Sequence, residues 1–167
     1  MAFTESFDAF LTFFKKRTLV EAIERAGFSI DGKVHGHQRL VGRKKLEQAS
    51  KALLKNIDEL KACGSFEELH KLIANCTKHI DRFGVLARYD ISLRIGANLG
   101  LWPEIVYLHA GTKKGCKILG VKFKGKIVDM AALPKPVQRL NPHHVENFLC
   151  IYKDSFQNEG RNPKSCI

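Results

Sequence analysis

The first hundred residues contain no proline, so nothing in them is forced to break a helix. Cysteine is sparse and scattered. Cys63, Cys76, Cys116, Cys150 and Cys166 are odd in number and form no C-x-x-C pair, which argues against a disulfide framework and against a structural zinc knot. They read as small buried hydrophobes or free thiols in a reducing compartment. No apolar run approaches the length that spans a bilayer. The N-terminus, "MAFTESFDAFLTFFKKR", places its acids early and its bases late. A secretory leader has the reverse order, so the expected location is the cytoplasm. Carboxylates are missing altogether between Glu104 and Asp129.

What is present in excess is positive charge. The chain of 167 residues carries a net charge of +11, and such a surface attracts nucleic acid or an anionic membrane and speeds association with either. The length suits one domain able to bury a core without a metal or disulfide staple. The expected fold is all-α or mostly α, a single helical domain over residues 1–157 followed by a frayed tail at 158–167.

Local signals place the elements. Phe7, Phe10, Leu11 and Phe14 form one helical stripe. "TLVE" from Thr18 opens a second helix with a capping box, and "SFEE" from Ser65 opens another. One long helix is expected over 43–62 and another over 85–99. Pro103 suggests a short helix begun at its first position, Thr112 the cap of the next, and "VKFKGKIVDM" a small hairpin near 121–130. Asn141 and Pro142 open a last helix to about 156, docked by Phe148, Leu149, Ile151 and Tyr152. Residues 27–42 hold four glycines and read as a flexible basic loop. Its His35 and His37 could share a metal, but no cysteine or carboxylate stands at partner spacing in the sequence, so no metal or cofactor is expected.

The stretch "IDRFGVLARYDISLRIGANLGLWPEIVYLHAG" joins an incoming helix, a tight "FGV" turn, a second helix, and then "LWP" with an apolar run ending at His109. Over residues 80–110 this resembles the helix-hairpin-helix DNA glycosylases. The resemblance implies that Gly84, Val85 and Leu86 offer backbone N–H groups to a DNA phosphate, with Arg82 and Arg88 adding charge. The family's catalytic residues are not matched. The second glycine of its turn is Leu86 here, its aspartate falls on Tyr107 or Leu108, and its nucleophilic lysine falls near Arg88, a poor nucleophile. The resemblance therefore implies binding more than base excision.

Two further groups complete the reading. Tyr89, Asp90, Arg94, Tyr107 and His109 would make an acid, base and cation set if they converged, with Asp90, Tyr107 and His109 the catalytic candidates. Asp90 and Arg94, four apart, also suit a plain helical ion pair. The second group is Lys113, Lys114, Lys117, Lys122, Lys124 and Lys126. "AGTKKG" would set the first two at a helix start, and the last three alternate with Phe123 and Ile127. This is no P-loop, since the order G-x-x-x-x-G-K-[ST] is missing. The expected function is non-sequence-specific binding of nucleic acid, duplex DNA above all, through phosphates. The alternatives are a divergent glycosylase-like or nuclease-like enzyme and a basic module for protein interaction. No membrane partner is expected.

Overall fold

The computed structural model describes residues 2–157; the expected tail at 158–167 lies outside them. The described residues form eight α-helices and one two-stranded antiparallel sheet. Length suggests one domain over 1–157, while packing falls into two compact units, Met1–Trp102 and Pro103–Ile167. The boundary coincides with the first proline of the chain.

The N-terminal unit is helical throughout. Helix α1 (Ala2–Lys15) buries Leu11 and Phe14 of its apolar stripe. Helix α2 (Leu19–Arg25) starts on a complete capping box. The Thr18 hydroxyl accepts from the Glu21 N–H, and the Glu21 carboxylate accepts from the Thr18 N–H at 2.9 Å. The glycine-rich segment is ordered rather than open. Phe28 and Val34 form an antiparallel bridge around Gly32 (φ +80°), and Gly36–Gln38 make a turn of 3₁₀-helix.

The single helix expected over 43–62 is two, α3 (Arg43–Leu54) and α4 (Ile57–Ala62). Asn56 lies between them at φ −115°, ψ 27°, its amide donating to the Ala52 carbonyl at 2.8 Å. A short polar side chain that bonds its own backbone competes with the helical ladder in this way. Helix α5 (Phe66–Thr77) is capped by Ser65, and the Glu68 carboxylate reaches one residue further back, to the Gly64 N–H.

Helix α6 (Val85–Leu99) ends at Gly100, whose φ of +77° is the left-handed cap that glycine adopts without strain. It is buried continuously from Tyr89 to Ala97 and packs against α1, α2, α5 and the 3₁₀ turn. A helix apolar or satisfied on every side belongs at the centre of a unit. Ile91 and Ile95 meet Ile23, Leu46, Leu53 and Ile73 in the core.

The C-terminal unit departs further from expectation. No helix starts at Pro103. The chain bends at Glu104 and Ile105 and enters strand β1 (Val106–Tyr107), which pairs with β2 (Ile127–Val128) in the register Val106↔Val128 and Tyr107↔Ile127. β-Branched and aromatic residues with Val106 and Leu108 both buried suit a pleat better than a helix. The segment 121–130 does not fold on itself as a full hairpin. Only its tip closes, Lys124 bridging Ile127 around Gly125 (φ +67°).

Helix α7 (Ala110–Ile118) is capped at His109 rather than Thr112. Thr112 lies inside, its hydroxyl donating to Glu146 at 2.8 Å. Helix α8 (Pro142–Tyr152) does begin at Asn141–Pro142, and it buries Leu149 but leaves Ile151 and Tyr152 exposed. Gly111 and Gly115 let α7 lie directly on α8. A Cβ on Gly115 would stand 2.5 Å from the Leu149 carbonyl oxygen.

Candidate functional site

Two places carry chemistry, one in each unit. The first is a buried polar centre where the 3₁₀ turn meets α6. Asp90 and Arg94 stand one helical turn apart on α6 and are both buried, so their charges must be satisfied inside the protein. The Asp90 Oδ2 accepts from the Gln38 amide at 2.6 Å and faces His37 Nδ1 at 3.3 Å and Arg94 Nη2 at 3.7 Å. The Arg94 guanidinium also donates to the Ala26 carbonyl and lies over the Phe10 ring at 5.2 Å.

Burial works against the Asp90 charge, but the hydrogen bond from His37 and the Arg94 cation outweigh it and hold the carboxyl below the usual range. Arg94 is pulled below its usual value by burial, with Asp90 opposing. His35 caps the turn, its Nδ1 accepting from the His37 N–H at 3.3 Å, and packs on Phe10 with ring centroids 5.6 Å apart. Burial first, then Arg94, lowers its pKa to about 4, so the ring is neutral at physiological pH. The His37 side chain is half exposed.

His35, His37 and Asp90 each offer a ligand atom, and these atoms all lie within 4.8 Å of one another. The carboxylate missing from the histidines' sequence neighbourhood is thus supplied in space by α6. Gln38, which no sequence motif marks, is fully buried on the same carboxylate, and its Oε1 has no hydrogen-bond partner among the described residues.

The five residues read as a possible convergent set do not share a unit. Tyr89, Asp90 and Arg94 belong to α6 of the N-terminal unit. Tyr107 lies half-buried on β1 and His109 is the buried cap residue of α7, both in the C-terminal unit. Within its own unit Tyr89 sets its ring edge-on to Phe66 and His70.

The glycine turn before α6 has its own geometry. Gly84 is the cap residue at φ −75°, a conformation open to any residue, and no side chain caps the helix there. Val85 is exposed, and Arg82 is exposed with a left-handed φ of +57° and its Nε 3.6 Å from Asp81. Asp81 also faces Lys45 at 3.4 Å. Arg88 points back, donating to the Thr77 hydroxyl at 3.1 Å and carbonyl at 3.4 Å. Its cation thereby completes the end of α5, where carbonyls lack helical partners.

The second place is the lysine-rich surface of the C-terminal unit. Lys113 and Lys114 fall in the second turn of α7, not at its start, because the helix begins at Ala110. Lys113 is half-buried, and Lys114 pairs with Asp154 at 2.6 Å. Lys117, Lys122, Lys124 and Lys126 are exposed, and no carboxylate of the described residues pairs with any of them. Asp129, at the end of the acid-free stretch, accepts from the Ala131 N–H at 2.8 Å. Lys122, Lys124 and Asp129 border a shallow groove floored by Phe123, Ile127, Val128 and Ala132.

These features define a mostly helical chain with a basic surface and a buried acid–base centre. No protein-family model matches the chain, and no curated protein or solved structure is significantly similar to it.

Proposed function

We propose that this protein binds nucleic acid, duplex DNA in particular, by contacting phosphates with the lysine surface of its C-terminal unit. The observation that carries the reading is the set of exposed lysines, Lys117, Lys122, Lys124 and Lys126, without a carboxylate partner among the described residues. Lysines neutralised by carboxylates gain little from a phosphate, whereas unpaired ones release condensed counterions from the duplex when they bind. Arg82 and the uncapped N–H groups after Gly84 are secondary contacts in this reading. Such contacts position a duplex and carry no sequence information.

Fluorescence anisotropy with a labelled duplex, over ~50 to ~200 mM salt, tests the proposal. The expected result is binding that weakens steeply with salt and is indifferent to sequence. Replacing Lys122, Lys124 and Lys126 together by alanine should reduce the slope of log K against log salt by about 2 to 3, since each phosphate left without its lysine removes about 0.9. A slope unchanged in the triple variant, or no binding at ~50 mM salt, overturns it.

A further inference from the structure

We propose that His35, His37 and Asp90 form a site for a divalent transition-metal ion in the N-terminal unit. Their three ligand atoms lie within 4.8 Å of one another. Metal bonds of about 2.0–2.1 Å in tetrahedral geometry set ligand atoms roughly 3.3 Å apart. His37 Nδ1 and Asp90 Oδ2 are already 3.3 Å apart, so the His35 ring supplies the remaining adjustment. It sits on a turn next to Gly36, where a small backbone change costs little.

The support around the ligands is of the kind metal sites use. Asp90 is fixed on a buried helix by the Gln38 amide at 2.6 Å and by Arg94. His35 and His37 flank Gly36 and set their rings at 85° with centroids 5.2 Å apart. Outer partners that orient ligands in this way raise affinity. The buried Gln38 Oε1 has no donor among the described residues, and a metal-bound water beside the carboxylate would satisfy it. Three protein ligands leave a coordination position open for that water.

Two imidazoles and one carboxylate select zinc, cobalt or nickel over magnesium and calcium, which prefer all-oxygen sites. The Arg94 cation opposes the metal. Part of its charge is taken up by the Ala26 carbonyl and the Phe10 ring, so the expected affinity is moderate rather than that of a closed structural zinc site.

The test is a cobalt(II) titration of chelator-treated full-length protein, followed by visible absorption and calorimetry. One equivalent should bind, with the intense d–d absorption of a low-coordinate site, and zinc should displace it. His37→Ala should weaken binding by at least about 100-fold, the upper end of what losing an outer-shell partner costs. His79→Ala, at an exposed histidine elsewhere in the unit, should leave it unchanged. Asp90→Asn strands the Arg94 charge and is the riskier variant for folding, so half-exposed His37 gives the deciding one. No cobalt absorption up to about 1 mM, or affinity that survives His37→Ala, overturns the site.

Discussion

The two units distribute their charge differently. The N-terminal unit has seventeen Lys and Arg against twelve Asp and Glu, and the C-terminal unit eleven against five. The first unit pairs part of its charge. Arg94 meets Asp90 inside, and Lys45, Lys61, Lys71 and Arg43 each find a carboxylate on the surface. The second leaves Lys117, Lys122, Lys124 and Lys126 facing solvent with no such partner among the described residues. A similar net charge is therefore distributed differently: the first unit mixes paired cations with exposed ones that have no carboxylate partner among the described residues, Lys16, Arg39, Lys44, Lys51, Lys55 and Lys78, whereas the second gathers its unpaired lysines into one acid-free interval of sequence. A concentrated run of uncompensated charge steers a polyanion over distances comparable with the Debye length.

The largest expected effect attacks the buried pair of the N-terminal unit. Arg94→Met leaves Asp90 buried without its guanidinium, and breaking a buried pair from one end costs about 3–5 kcal/mol. Urea unfolding followed through Trp102, whose ring lies 4.9 Å from the Lys15 ammonium within the N-terminal unit, should show that loss. A cost under about 1 kcal/mol would place the pair among weak surface ion pairs and dissolve the contrast. In the C-terminal unit the fold is held differently. The C-terminal core cluster has eight buried residues against fourteen in the N-terminal one, so close helix contact matters more. Gly115→Ala drives a methyl toward the Leu149 carbonyl oxygen, which cannot rotate away, and should cost about 1–3 kcal/mol. Gly111→Ala meets the Cys150 sulfur instead, an atom at the end of a side chain, and should cost less. Equal effects would mean that helix spacing is set elsewhere.

Arg88→Ala sharpens the comparison further. Sequence places this residue beside a phosphate-binding turn, whereas the structure ties it to Thr77. Hydrogen bonds from a charged donor at a half-exposed site should make its loss cost about 1–2 kcal/mol in stability, with duplex affinity and salt slope unchanged. A reduced slope at unchanged stability would return Arg88 to the nucleic-acid surface.

What sequence conveyed well is what four or five neighbouring residues encode. The capping box at Thr18, the Ser65 cap, the 85–99 bounds of α6, and the Asn141–Pro142 start are all of this kind. Features that depend on a distant partner were not legible. Strand β1 exists because Ile127 and Val128 return to it. Lys114 is neutralised by Asp154, and Asp90 meets Gln38 and His37 only because the loop folds onto α6. The break at Asn56 is local and could have been suspected from an asparagine in mid-helix. The glycine of the "FGV" turn looked special, yet at φ −75° it needs none of glycine's freedom. The net positive charge and the acid-free interval before Asp129 were the electrostatic features visible directly in the sequence.

The smallest expected effect is on pH, and it concerns the N-terminal unit in metal-free protein. Burial lowers the folded-state pKa of His35 to about 4 and also lowers that of His70, which is bonded to Ser92 at 2.9 Å and lies near the Arg88 charge. A histidine whose folded pKa lies below its unfolded value binds its proton more readily unfolded, so acid favours unfolding. The contribution is complete above about pH 6.5 and is lost as pH falls from there toward 4. Asp90 has its folded pKa below 3.8, so the stability it adds is intact above that value and goes only as pH falls through its folded pKa. The histidines therefore own the window between. Discounted for its partial exposure, His35 should account for about 1 kcal/mol there. His35→Asn keeps an acceptor for the His37 N–H and removes the titration; His70→Asn keeps a donor toward the Ser92 hydroxyl, whose own proton goes to the Arg88 carbonyl, and removes the second titration. Together they should flatten the dependence of urea midpoint on pH between 4 and 6.5. A slope that persists in the double variant would assign the acid sensitivity to other groups and remove buried histidine from the contrast between the units.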